Sequence, residues 1–206
     1  MARWEPDAAG RLAEAAMQLY RERGFDRTTV ADIAARAGLT ERTFFRYFAD
    51  KREVLFSGAH MLQDFLVERV ARAPAPLPPI DAVASALAET GELFEHRRDF
   101  ARQRQALIVT HADLQERELI KLASLARAIG EALRRRGVPA TAASLAAEAG
   151  MTIFKLAFES WLEDGKKRDL AHHVQAAHAE LEGVVAGARR RGAAAGRAKR
   201  SAARAR

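Results

Sequence analysis

An all-α fold of about nine helices, a small N-terminal three-helix domain followed by a larger helical bundle, is what this sequence predicts. Three observations carry the prediction. Ala, Leu, Arg and Glu dominate the composition, and all four favour helix. Only six prolines and thirteen glycines are spread over 206 residues, too few for a mainly β or disordered chain. Apolar residues also recur at three- and four-residue spacing in most segments. With 49% hydrophobic residues, the chain can bury one substantial core, or attach a small domain to a larger one.

The elements follow in order. Leu12, Ala15, Ala16, Leu19 and Tyr20 mark a first helix, which Gly24-Phe25 stops with a left-handed residue and an apolar follower. Thr29-Val30-Ala31-Asp32 reads as an N-cap with an acid three residues on. Val30, Ile33, Ala34 and Ala37 are the buried stripe of that short second helix, and Gly38 ends it. Thr40 caps a third helix from Glu41 to about Phe48. Asp50-Lys51-Arg52-Glu53 repeats the cap-plus-acid pattern and is expected to open a long connecting helix over 51–72.

The proline cluster at 73–79 must break that helix and act as a stiff connector. Beyond it, helices are expected over roughly 80–95, 97–109, 113–136, 140–163 and 168–187, with Gly137-Val138-Pro139 and Asp164-Gly165 as the clearest breaks. Residues 189–206 contain Ala, Gly, Arg, Lys and Ser without an apolar stripe, so a basic disordered tail is expected there. The domain boundaries that result are 1–50, 51–188 and 189–206.

Charge is unevenly placed. The net charge of +7 includes eight cations and no acid from Arg189 onward, which leaves residues 1–188 at about −1. The basic pI therefore belongs to the tail and cannot by itself identify a DNA-binding domain. A motif must do that.

The motif is the run Thr28 to Phe48. Two short capped helices flank a turn with glycine where positive φ is needed, and Ala34, four residues before Gly38, is small enough for close helix approach. This is the arrangement of a helix-turn-helix. At 100° per residue, Phe44 and Phe48 of the third helix point toward the first two helices. Arg42, Thr43, Arg46 and Tyr47 point away, a face suited to major-groove edges and flanking phosphates. Glu41 and Phe45 fall on the core side or its border. Such a face would be ordinary solvated surface in an arbitrary bundle; it is the conjunction with the caps and the Ala-to-Gly spacing that favours DNA.

Residues from about Arg11 to Leu55, including Gly24-Phe25 and the Tyr47-Phe48-x-x-Lys51 exit, resemble the N-terminal domain of tetracycline-repressor (TetR) type regulators. The resemblance implies a homodimeric regulator of transcription, expected to be a repressor released from a palindromic double-stranded operator by a small lipophilic effector. Some members of the subgroup that Glu41–Phe48 resembles are thought to sense acyl thioesters or other lipophilic metabolites. By position, Thr28 or Thr29 would touch phosphate, Thr43 and Tyr47 would face the groove, and Lys51 would bind phosphate. With Thr40, Arg42 and Arg46, these make the expected DNA-binding set. An anion beside Lys51 also makes sense at a helix N-terminus. The family commonly has tyrosine where this chain has Phe45, so one phosphate-contacting hydroxyl is missing.

For the body, the resemblance implies a dimeric four-helix bundle from the last two long helices, with Leu156, Trp161, Val174, Leu181, Val184 and Val185 as interface candidates. Filling the core of a single protomer is their competing role. An effector pocket would draw on Phe94, Phe100, Leu107, Phe154 and Phe158, with His96 or His111 orienting the ligand. Core packing competes for Phe154, and an ordinary hydrogen-bonded role competes for either histidine.

Enzymatic chemistry has no support. There is no cysteine, no phosphate loop and no nucleophile–base pair. His173 and His178 are five residues apart, about 140° around a helix, so the histidine cluster at 172–178 predicts no metal site. No cofactor is expected. With no apolar run of bilayer length, a cytoplasmic protein without a membrane partner is expected. A non-specific DNA-coating protein is the alternative suggested by the tail.

Overall fold

A computed structural model describes residues 8–94, 97–165 and 168–186, and every regular element among them is helical. The tail at 189–206 and His96 lie outside the described residues. The helices are α1 (Ala8–Arg23), α2 (Val30–Arg36), α3 (Glu41–Tyr47), α4 (Ala59–Arg72), α5 (Pro79–Glu89), α6 (Gly91–Phe94), α7 (Arg98–Thr110), α8 (Ala112–Arg135) and α9 (Ala140–Glu163). A final helix, α10, covers 170–186. Packing divides the described residues into two compact units: 8–68 with 97–128, and 69–94 with the described residues from 129 to 186.

In the first unit, α1 buries Leu12, Ala16, Leu19 and Tyr20 on one face. They meet Ile33 of α2 and Phe44 of α3, both fully buried. Each such side chain removes enough apolar surface from water to contribute ~1.5–3 kcal/mol. α1 ends at Gly24, whose φ is 85° and whose amide donates to the Tyr20 carbonyl. α2 opens with a full capping box: the Asp32 amide donates to Thr29 Oγ1 at 3.1 Å and the Thr29 amide to Asp32 Oδ2 at 3.0 Å. At its other end Gly38 takes φ 67°. Its amide bonds to Ala35 O, and the Leu39 amide reaches Ala34 O at 2.8 Å. That reciprocal pair stops the helix and aims α3 across it.

The connecting segment differs from the sequence expectation. Asp50 does cap it, accepting from the amides of Arg52 and Glu53 at 2.8 and 3.0 Å. A 3-10 turn at Glu53–Phe56 follows, and α4 starts only at Ala59. Val54, Leu55 and Phe56 in the tight turn all enter the core of the first unit. Residues of α7 complete this core, with Ile108 buried and Phe100 and Leu107 packed against it.

In the second unit, Pro79 occupies the first turn of α5, where a missing N–H costs nothing. Arg136 holds the proline connector, donating to the carbonyls of Ala73 and Pro74 at 3.1 and 2.8 Å. The expected helix over 80–95 is divided at Thr90, which is fully buried and turns its hydroxyl back onto Leu87 O at 2.7 Å. α5 lies against α9, whose buried residues include Ala143, Ala146, Ala147 and Gly150, the last facing Val83 and Leu87 of α5. Small side chains there permit close approach of the two helices. Leu170 and Val174 of α10 are buried in the same unit.

Candidate nucleic-acid interface

Two capped helices and one turn fix the outer face of α3. Phe44 is fully buried and anchors the helix, with Phe48 packed at a ring distance of 5.6 Å. The opposite side presents Arg42, Arg46 and Tyr47 to solvent, with Thr43 half-buried. The Thr40 hydroxyl accepts from the Thr43 amide at 3.2 Å and lies 3.0 Å from the Thr43 hydroxyl. Arg46 stacks on Tyr47, its guanidinium carbon 5.0 Å from the ring centroid, and donates to the phenol oxygen at 3.2 Å. These two side chains therefore present one combined planar and polar surface.

Phe45 was expected on the core side or its border. It is 56% exposed instead, touching Phe44 edge-on at 5.5 Å. Glu41 is exposed as well. A helical projection cannot decide a border position, because burial there depends on whether another element covers the flank. Phe45 thus joins the outer face as an exposed ring that sequence reasoning missed.

Three residues assigned to phosphate are otherwise occupied. Thr28 is buried, its hydroxyl donating to Gly24 O at 2.8 Å, so it cannot meet a phosphate from that position. Thr29 is exposed but is committed to the capping box, its hydroxyl donating to Asp32 at 2.6 Å. Lys51 spends its ammonium inward on the carbonyls of Phe25, Asp26 and Thr28, at 2.8, 3.2 and 3.0 Å. It also sits 4.6 Å from the Phe25 ring centroid. The physical reason is local: the turn after α1 leaves three converging carbonyls without helical partners, and a cation satisfies all of them at once. The Tyr20 phenol ties the same place, donating to Lys51 O at 2.6 Å. Burial, and secondarily the charge of Asp50, push that phenol well above its ordinary range, so it remains a neutral donor.

Behind this head runs an ion-pair network. Arg117 bridges Asp50 at 3.1 Å and Glu53 at 2.6 Å, and Lys121 pairs with Glu53. Arg104 donates to Leu55 O at 2.8 Å and to Glu118 at 3.0 Å. Sequence offered no signal for the Arg117 and Lys121 pairings, since their partners lie more than sixty residues away along the chain.

The expected effector residues are distributed over both compact units. Phe94, Phe154 and Phe158 cluster in the second unit together with Trp161, at ring distances from 5.4 to 6.5 Å. Phe100 and Leu107 instead pack on the core of the first unit. His111 also belongs there, 2.8 Å from Leu107 O and edge-on to Phe25 at 4.9 Å. Of the interface candidates, Trp161 and Val174 are buried within the second unit, which corrects their assignment, and Leu181 is half-buried. Leu156, Val184 and Val185 are exposed, as is Leu145 on α9.

Two family models match the chain. Residues 12–57 match the bacterial regulatory proteins of the tetR family, and residues 77–186 match the MftR C-terminal domain. The chain belongs to the TetR family of transcriptional regulators. It is a DNA-binding regulator with a helix-turn-helix head, and its family is not one of enzymes. Within the family it is 26% identical over 159 residues to a Mycobacterium tuberculosis protein named as the mycofactocin biosynthesis regulator MftR, covering 74% of this chain and 79% of that one. Among solved TetR-family structures, Thermus thermophilus FadR in complex with lauroyl-CoA is 28% identical, with a TM-score of 0.52 over 82% of this chain and 90% of that one. Bacillus subtilis FadR in complex with stearoyl-CoA shares the fold at 17% identity, with a TM-score of 0.56 over 84% of this chain and 96% of that one. No helix among the described residues is long and apolar enough to cross a membrane.

Proposed function

We propose that this TetR-family chain is a homodimeric repressor whose paired α3 helices read a two-fold symmetric operator, and which a lipophilic effector releases. The outer face of α3 carries the proposal. It gathers Arg42, Thr43, Phe45, Arg46 and Tyr47 on a helix too short to hold its shape without the core behind it. Arginine suits a guanine edge, and an exposed ring suits a thymine methyl. Thr40 borders that face at the start of α3, and Thr29 is exposed at the start of α2. One two-turn helix covers few base pairs, so affinity requires a second copy one helical turn of DNA away.

The exposed apolar residues Leu145 and Leu156 on α9, with Val184 and Val185 on α10, supply a surface for that pairing. For the effector, the aromatic cluster of Phe94, Phe154 and Phe158 is the better candidate. Phe94 and Phe158 keep part of their rings accessible. An acyl thioester is the class favoured by the likeness to T. thermophilus FadR, whose structure contains lauroyl-CoA. Such a ligand can lower operator affinity only by binding the DNA-free state more tightly.

Selection of bound duplexes from a random pool, followed by titration of lauroyl-CoA, tests the reading. A two-fold symmetric consensus, released by the thioester from the normal chain but not from Phe158→Ala, is expected. A pool without enrichment would instead favour the DNA-coating alternative. An enriched operator that lauroyl-CoA and shorter or longer acyl chains leave bound would remove the effector assignment.

A further inference from the structure

Four residues along a helix return to the same face, so His178 and Glu182 of α10 stand one above the other. Asp81, in the first turn of α5, faces them across the second unit. The three side chains offer one ligand atom each, and these atoms all lie within 4.8 Å of one another. Sequence could not propose this group, because Asp81 lies far from the other two along the chain and no histidine pair marks it.

His178 Nε2 stands 3.2 Å from Asp81 Oδ1. That nitrogen is buried, yet it makes no hydrogen bond with adequate geometry. Burying a polar nitrogen without a well-formed hydrogen bond costs free energy, and an ion held between His178 and the two carboxylates would offset that cost. We propose that Asp81, His178 and Glu182 bind a divalent first-row transition-metal ion.

The donor set is right for such an ion. Two carboxylates supply charge −2 against +2, and a neutral imidazole supplies the nitrogen that zinc, nickel or cobalt prefers over an all-oxygen site. Three protein ligands leave a position for water. Ligands ~2.0–2.2 Å from a metal are closer together than the present spread, and the exposed Glu182 side chain can supply the adjustment by changing rotamer. The consequence is mechanical. A bound ion would pin α10, which carries exposed Val184 and Val185, to the start of α5.

A plain His–Asp ion pair is the alternative, and pH separates the two. A metal ligand must be unprotonated, so ion affinity should rise from pH 5.5 to 7.5, whereas an ion pair needs the proton. The full chain, stripped with chelator, is titrated with cobalt and zinc and followed by cobalt absorption and by Tm. One ion per chain, a higher Tm with zinc, and tighter binding at higher pH are expected. His178→Gln should abolish binding. Glu182→Gln should weaken it by more than about tenfold, a loss that even outer partners of a metal can cause. Because Glu182 is exposed, that variant should keep its metal-free Tm. His172→Ala should bind as the normal chain does. Absence of saturable binding, or binding unchanged in both His178→Gln and Glu182→Gln, would overturn the assignment.

Discussion

Lys51 and Arg42 are both cations of the DNA-binding head, but their surroundings assign them opposite tasks. Arg42 is exposed on α3, so its removal costs the fold little. Lys51 holds three carbonyls of the α1–α2 turn. Arg42→Ala and Tyr47→Ala are therefore expected to weaken operator binding by about ten- to hundredfold, since a good base contact contributes ~1–3 kcal/mol. Their Tm should stay within a degree or so of the normal chain, as for most surface changes. Lys51→Ala should do the reverse at first order, lowering stability by ~1–3 kcal/mol because charge-assisted bonds are lost. Any loss of DNA affinity in it would then track unfolding. Anisotropy on the selected operator, beside thermal melts of the same samples, separates the two. A Lys51→Ala chain with normal Tm and weak binding to all duplexes would restore its direct role at phosphate.

Between elements, close packing and paired charge do the positioning, and each has its own signature. Gly150 lies where α9 meets α5, and a Cβ there would stand 2.3 Å from Val83 Cγ1. Gly150→Ala should cost ~1–3 kcal/mol through overpacking. Adding Val83→Ala should recover part of that loss, a coupling that a double-mutant cycle in denaturant would measure. Additive effects of the two changes would mean the helices are not in contact at this point. In the first unit, Asp50 and Glu53 are held by Arg52, Arg117 and Lys121. Burial alone would raise both carboxyls, but the hydrogen bonds and charges of these cations outweigh it and hold them below their ordinary values of 3.8 and 4.5. A folded-state value below the unfolded one stabilises fully above the unfolded value, and that contribution disappears as pH falls through the folded value. Tm should therefore decline as pH drops below about 4.5. Glu53→Gln should begin less stable at pH 7 and decline less steeply. Parallel declines of the two chains between pH 7 and 3 would show that the pairing contributes nothing.

At the scale of the whole molecule, the proposed dimer rests on apolar side chains that the chain leaves exposed. Leu156 and Val184 are 54% and 67% exposed, far more than apolar packing within one chain requires. Arginine at either position should leave helicity intact while dissociating the proposed dimer, since a central interface side chain can contribute ~2 kcal/mol or more. Sedimentation should show monomers, and operator affinity should collapse although α3 is untouched. Dimers persisting in the Leu156→Arg, Val184→Arg double variant would move the interface elsewhere. By contrast, Trp161→Ala should act on the fold, because that ring is 3% exposed in the aromatic cluster.

Local chemistry determined what could be read from the chain alone. Helical periodicity, the Thr29–Asp32 box, the Thr40 cap, positive φ at Gly24 and Gly38 and the break at Gly137 are set within a few residues of one another. They needed no distant partner to be legible, and with them came the all-α class, the helix-turn-helix and the outward arginines of α3. Tertiary structure decided everything that depends on residues far apart in sequence. It turned Lys51 and Thr28 inward, left Phe45 uncovered, and buried Val174. It assigned Phe100 and Phe94 to different compact units, and it brought Asp81 beside His178. The reason is physical. A cap is a bond between near neighbours, whereas burial and charge pairing are fixed by whichever surface arrives from elsewhere in the chain.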